Sequence, residues 1–433
     1  VLLLAFATFC LLCLVVGLGA QYFFFQSTIP LPSLITVSRG TAGLTEADQV
    51  EQVVRRGREL YNRARVSTDG VSQTTISFID RADDGKLVAS VTMRTNSSLD
   101  LERVERPRFN WSVEDYHIDL SDVTGDLSIR INPDLGRGLR FVLDTPGGAR
   151  VVIERAGRYT VNAGTEQLQV VNFDGAATLI APSNVVQPIP IGERGVLHYA
   201  DSTLTLLPGY VDLIVGDGFA QTNVIDMDGE GEMLERSVWR CRSTQIGLPA
   251  GQFTLGMVDG RSSLRLIRDG GADSHGETFC IQNLGVTGQN GLDVSMYDYL
   301  AWRAMFKIMS HSLGTCGVDG SECPITLRMD YIPVVGDPIS WYHGFYAFPS
   351  TQAEFPQRCN SCAQDHQIIN DNAWYSYDSG NLFALIPPDQ RPKAILNVRF
   401  YASGHEYDVF VNDVSLLAGQ GVATTPAFVT GGG

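Results

Sequence analysis

The chain is predicted to be mainly β, opened by a single apolar helix. Three observations carry that expectation. The first 25 residues, VLLLAFATFCLLCLVVGLGAQYFFF, are uniformly apolar, and no charged residue follows until Arg39. Forty-four Gly and 19 Pro among 433 residues, with few long helical patterns, favour strands joined by turns. From Val66 to about Val215 apolar and polar residues alternate with a period of two, the pattern of half-buried strands. The length exceeds one typical domain and suffices for two with their own cores.

Residues 1–25 are expected to cross a membrane. About 20 apolar residues at ~1.5 Å of rise span a ~30 Å hydrocarbon core, and a helix satisfies every backbone polar group there. The alternative is a cleaved secretory signal, suggested by the small residues Gly17, Gly19 and Ala20. The apolar run is longer than a signal core of roughly 7–15 residues, which favours a retained anchor. Tyr22, Phe23, Phe24 and Phe25 fall where interfacial rings are common, and Cys10 and Cys13 read as packing within the span. The flanking Lys/Arg count that sets orientation would lie in a cytoplasmic tail before Val1. Six further cysteines lie between Cys241 and Cys362, an even number suited to disulfides in an oxidising compartment. Residues 26–433 are therefore expected outside the cytoplasm, in a periplasm or at the cell surface.

Residues 26–43, with Pro30 and Pro32, read as an extended linker. Residues 44–65 are expected to form an amphipathic helix. Thr45 can cap it with Asp48 at capping-box spacing, and Leu44, Val50, Val53, Val54, Leu60, Tyr61 and Ala64 make an apolar stripe. The segments 75–79, 86–91, 116–120, 127–131 and 150–153 alternate between Gly, Asp, Asn and Pro punctuation and read as strands of an all-β domain over 66–215. A Gly216-Asp217-Gly218 turn opens the second half, residues 216–418, and the Gly- and Thr-rich stretch 419–433 reads as an extended tail.

Two resemblances refine the picture. The strings FVLDTPGGARVVIERAGRYTV (141–161), LQVVNFDGAATLIAP (168–182) and VVQPIPIGERGVL (185–197) resemble the extracytoplasmic domain of FecR-type proteins, which implies a β scaffold without catalysis. No iron-uptake regulator region flanks it. The closing YDVFVNDVSLL (407–417), with VDGRSSLRLIRDG (258–270) and HGETFCIQNLGV (275–286) before it, resembles galactose-binding-like jelly rolls, the class that includes many carbohydrate-binding modules. That implies a β-sandwich, and fold follows more safely than ligand.

Candidate sites are few. On an extended strand Trp341, His343 and Phe345 share one face while Tyr342 and Tyr346 share the other; with Trp374, Tyr375 and Tyr377 they offer rings either to the core or to a sugar or protein surface. Asp226, Asp228, Glu230 and Glu232 alternate around a Gly turn and are candidates for a structural calcium, although the spacing is not that of a helix-loop-helix calcium loop. No other cofactor is expected. His275 with Glu277, and His405 with Glu406 and Asp408, lack the second helical His of a zinc protease, so a structural role is the simpler reading. Cys316, Cys323, Cys359 and Cys362 are poorly spaced for a zinc knuckle. The expected bridges are Cys316–Cys323, Cys359–Cys362 and Cys241–Cys280, among the ~15 connectivities open to six cysteines.

With 32 Lys and Arg against 48 Asp and Glu, the net charge of −16 leaves no basic stripe for nucleic acid. Neither a phosphate-binding loop nor a nucleophile elbow is present. The sequence therefore points to a non-catalytic, membrane-tethered binding or scaffold protein. Its partner would be either a larger membrane complex, with this chain an accessory subunit, or an envelope polysaccharide. A glycosidase, or a transmembrane signalling protein with a cytoplasmic domain upstream, remains the alternative.

Overall fold

The computed structural model describes residues 2–47, 49–83, 85–215, 219, 224–226, 239–244, 247–271, 274–285, 291–317, 320–350 and 365–420. It is mainly β, with an apolar helix Leu2–Gln21 at its start. The chain divides into two compact units, one of residues 1–36 and 41–207, the other of 37–40 and 208–433.

In the first unit the expected linker and amphipathic helix are absent. Residues 28–68 instead form short strands: Thr28–Pro30, Ser33–Arg39 (whose residues 37–39 count with the second unit), Ala42–Thr45, Gln52–Val54, Arg58–Leu60 and Arg65–Thr68. Ala42–Thr45 pairs on one edge with Gln52–Val54 and on the other with Arg65–Thr68. The supposed helical stripe splits: Leu44, Val54 and Leu60 are buried, whereas Val50, Val53 and Tyr61 are 85%, 67% and 66% exposed. β-Branched residues at those positions lose little in a strand, and pairing to distant strands outweighs a weak local helical period.

Strand Tyr116–Ile131 organises the unit. Its first half pairs antiparallel with Ser98–Pro107 and parallel with Leu139–Asp144. Its second half pairs with Lys86–Met93 and Gly157–Ala163. The sequence suggested two separate strands here; one strand passes between two sheets and helps close the unit into a barrel. Register shifts between Ser121 and Thr124, and Gly125 then takes φ +85°. The barrel core contains Ile76, Phe78, Val91, Ile118, Leu127, Ile129, Phe141, Val161 and Val170, all buried.

The second unit is a sandwich of two antiparallel-rich sheets. The six-stranded sheet runs Gln252–Val258, Arg261–Arg268, Tyr407–Gly419, Tyr299–His311, Tyr375–Asp378, with Val211–Asp212 paired onto Tyr407–Gly419. The eight-stranded sheet runs Val224–Asp226, Trp239–Ser243, Gly276–Asn283, Pro392–Gly404, Ile325–Pro333, Ile339–Tyr346, Gln367–Ile368, with Leu292–Asp293 beside Pro392–Gly404. The unit thus begins before the Gly216-Asp217-Gly218 turn, which lies outside the described residues, as does 421–433 of the expected tail. The facing sides bury Trp239, Trp302, Trp341, Phe306, Phe345 and Phe400 in one core.

Cys241 and Cys280 face each other across neighbouring strands and are bonded, as are Cys316 and Cys323. Both pairings are among those expected; Cys359 and Cys362 lie outside the described residues. By loop entropy, the bridge that closes 39 residues contributes about 4 kcal/mol.

Two outcomes follow from this packing. A Cβ on Gly125 would stand 2.4 Å from Ser97 Oγ and 2.7 Å from the Asn96 carbonyl, in a conformation that disfavours side chains. Gly125→Ala should therefore destabilise the barrel by about 2 kcal/mol or more in denaturant titration. His311 is buried; its Nδ1–H donates to the Leu313 carbonyl (2.9 Å), and its Nε2 accepts the Ala347 N–H (3.0 Å). Burial pulls its pKa down to about 4. The folded value lies below the unfolded one of about 6.5, so the stabilisation is complete above that pH and is lost as pH falls toward 4. The loss is about 3 kcal/mol at ~1.36 kcal/mol per unit. His366, also lowered by burial, adds in the same sense. His311→Gln should flatten the dependence of unfolding free energy on pH across that window.

Candidate functional site

Alternation along Ile339–Tyr346 turns Trp341, His343 and Phe345 inward. Trp341 stacks near Trp302 at 6.3 Å, and His343 lies 5.2 Å from Tyr377, ring centre to ring centre. Tyr375 is buried against Phe306 and Phe345. Trp374 is buried at the sheet edge and donates its indole N–H to Asp259 Oδ2 (2.9 Å), which also pairs with Lys307 (3.0 Å). Tyr346 packs on the Cys316–Cys323 bridge. Of the rings considered as a binding surface, Trp341, His343, Tyr346, Trp374 and Tyr375 are therefore buried, which leaves none of them as an open platform. Tyr342 shares the outward face with Tyr346, which the Cys316–Cys323 bridge covers, and is itself half-buried.

Tyr342 leads to a face the sequence reading missed. The outward side of the eight-stranded sheet carries successive cross-strand rows. In one, Arg242, Phe279, Tyr401 and Thr326 are register neighbours. In the next, Ile281, Arg399, Arg328 and Tyr342 are. The Arg399 guanidinium lies 4.1 Å from the centre of the Phe279 ring and 5.0 Å from that of Tyr401, and it forms an ion pair with Glu277. Arg328 bonds Asp330 (2.8 Å) and the Ser340 hydroxyl (3.2 Å), and that hydroxyl donates to Asp330 (2.6 Å).

Burial lowers the Arg399 pKa, and it raises that of Tyr401 against the opposing hydrogen bond from Thr326. An arginine starts so high that it remains charged, and Glu277 lies against it. Arg399 Nε and Asn397 Oδ1 find no hydrogen-bond partner among the described residues. Both atoms are buried, so what this face offers a ligand is its rings and the guanidinium stacked between them, a surface suited to the flat face of a ligand. The signal in the sequence was the alternation Arg399, Tyr401 opposite Phe279, which becomes visible only once the strands are paired.

The remaining acidic and metal candidates fare differently. His366 lies with Cys316 and Cys323 in a group whose ligand atoms fall within 4.8 Å of one another. The two sulfurs are bonded to each other, and His366 uses Nδ1 to accept the Gly344 N–H (3.0 Å) and Nε2 to donate to the Gly320 carbonyl (2.5 Å). That leaves a structural cluster, and no ligand set. Asp226 ends the strand Val224–Asp226; its side chain, Asp228 and Glu230 lie outside the described residues. Glu277 and Asp408 are engaged in ion pairs with Arg399 and Arg265. In the first unit a charged cavity of about 350 Å³ on the barrel wall is lined by Arg103, His117, Asp119, Arg140, Asp144 and Arg150 among others. The Arg150–Asp144 fork (2.6 and 2.9 Å) closes one side, and burial raises the Asp119 pKa.

No family model matches the chain, and no curated protein matches it. Several solved structures are similar in part. A putative anti-sigma factor from Parabacteroides distasonis is 15% identical with a TM-score of 0.24, covering 34% of this chain and 59% of its own. The family 11 carbohydrate-binding module of the cellulosomal cellulase Lic26A-Cel5E of Clostridium thermocellum is 12% identical with a TM-score of 0.25, covering 49% and 96%. The enzymatically active domain of tailspike protein 4 of bacteriophage CBA120 is 12% identical with a TM-score of 0.23, covering 44% and 21%. The chain thus spans 59% of the length of the anti-sigma factor it matches. At these identities and scores the likenesses accompany the β architecture and say nothing about activity.

The inward and outward rings of one strand should separate cleanly in stability measurements. Trp341→Ala is expected to cost about 3–5 kcal/mol through the cavity it leaves. Tyr342→Ala, on the half-buried outer face, should cost about 1 kcal/mol or less.

Proposed function

We propose that this protein is a non-catalytic, membrane-tethered binding protein, with most of the chain outside the cytoplasm, that takes a polysaccharide on the outward face of its eight-stranded sheet. The observation that carries this reading is the Arg399 centre, a guanidinium stacked on the outward rings of Phe279 and Tyr401. Aromatic faces pack against the C–H surfaces of sugar rings, and forked donors suit vicinal hydroxyls. The carboxylates Glu277 and Asp330 are each held by an arginine, which supports recognition over acid–base chemistry. The anchor supports the tether: every described side chain of the apolar helix is exposed, an apolar surface that water alone would not tolerate.

The test is retention of the purified full chain, in mild detergent, on columns of insoluble cell-envelope polysaccharide. Arg399→Lys keeps the charge and loses the planar stack, so it should weaken retention about tenfold with little change in melting temperature. Tyr401→Ala should weaken it further. If the wild-type chain is not retained, and instead co-migrates stoichiometrically with membrane proteins on extraction from native membranes, the face is a protein-docking surface and the chain an accessory subunit.

A further inference from the structure

The chain does not leave its apolar helix on a loose tether. Tyr22–Gln26 continues the helix as a π turn, Ser27 Oγ donates back to the Phe23 carbonyl (2.5 Å), and Thr28–Pro30 pairs at once with the end of Ser98–Pro107. The segment after that strand folds back onto the same end of the helix. The Arg108 N–H donates to the Ser27 carbonyl (3.0 Å), and the Ser112 hydroxyl donates to the carbonyl of Phe25. The Phe109 ring lies 5.6 Å from both Phe23 and Phe24, and Trp111 stacks on Phe109 at 4.7 Å. Arg137 holds the loop in shape by donating to the carbonyls of Asn110 (2.9 Å), Ser112 (3.4 Å) and Glu114 (3.2 Å).

This braced loop presents apolar groups outward. Trp111 is 62% exposed and Val113 83%. Arg108 sits 5.2 Å from the centre of the Phe23 ring. Stacked rings at the end of an apolar helix, with an arginine beside them, match the headgroup level of a bilayer, where Trp is enriched and Arg reaches toward phosphate. We infer that Phe23–Phe25 and the 108–113 loop form one aromatic collar immersed in the interfacial layer of the bilayer that the helix crosses, so that the barrel rests directly on the lipid surface. Lipid is the occupant because the collar is continuous with the exposed apolar surface of the helix. The inference rests on reading Leu2–Gln21 as a membrane span.

The chain offers its own probe. Of five tryptophans, Trp239, Trp302, Trp341 and Trp374 are buried, which leaves Trp111 as the exposed one. The full chain is reconstituted into phosphatidylcholine/phosphatidylglycerol vesicles with and without lipid nitroxide-labelled near the headgroup, and the emission of Trp111→Phe is subtracted from that of the wild type. The expected result is a difference spectrum that is blue-shifted, quenched by the nitroxide lipid and shielded from aqueous acrylamide. Co-flotation with carbonate-washed vesicles reads the span separately. A chain that floats while Trp111 remains open to acrylamide and unquenched by lipid overturns the collar and leaves the anchor standing. Shielding from acrylamide without nitroxide quenching means that another copy of the chain covers the ring, and also overturns it. Release of the chain by carbonate removes the span and the collar together.

Discussion

A strand that serves two sheets has to bend between them, and the bend must leave room for whatever packs against it. Tyr116–Ile131 meets that condition at Gly125, where the left-handed conformation and the closeness of Ser97 and Asn96 exclude a Cβ. Everything in the first unit is arranged around that bend. The strands before it carry the helix exit and the aromatic loop, and those after it continue into Gly157–Ala163 and Gln167–Asn172. Because the first half of the strand pairs with Ser98–Pro107, which itself pairs with Thr28–Pro30, the end of the apolar helix is bound into the barrel by ladder hydrogen bonds.

The second unit answers a different constraint, the packing of large rings between two sheets. Trp239, Trp302, Trp341, Phe345 and Phe400 fill the space, and bonded Cys241 and Cys280 lie in the same core. A sheet whose inner side is so fully occupied is rigid, and its outer side becomes a platform whose side chains are spaced by the pleat. The Arg399 cluster uses that platform: its ring partners come from two strands, Phe279 from Gly276–Asn283 and Tyr401 from Pro392–Gly404.

Legibility in the sequence followed the strength of the local signal. The period-two segments at 75–79, 86–91 and 150–153 are strands, and the cysteine pairs 241/280 and 316/323 are bonded. Residues 44–65 misled because Leu44, Val54 and Leu60 happen to fit both a helical stripe and the inward positions of short strands, and only pairing with Arg65–Thr68 decides between them. The aromatic run Trp341–Tyr346 announced itself as rings on alternating faces. Which face met the core was not written in it.

By itself, then, the sequence determined the β class, the apolar opening helix and the acidic net charge, because each depends on composition, length or period, while the cysteine pairs it favoured were chosen among many connectivities by the fold. The tertiary structure alone decided that Trp341 and Tyr375 are interior, that Arg399, Phe279 and Tyr401 share a surface, and that Trp111 stands against the helix exit. Phe279 and Tyr401 lie more than a hundred positions apart, and alternation places a side chain on one of two faces without saying which neighbour it meets there. Long-range strand register makes that choice.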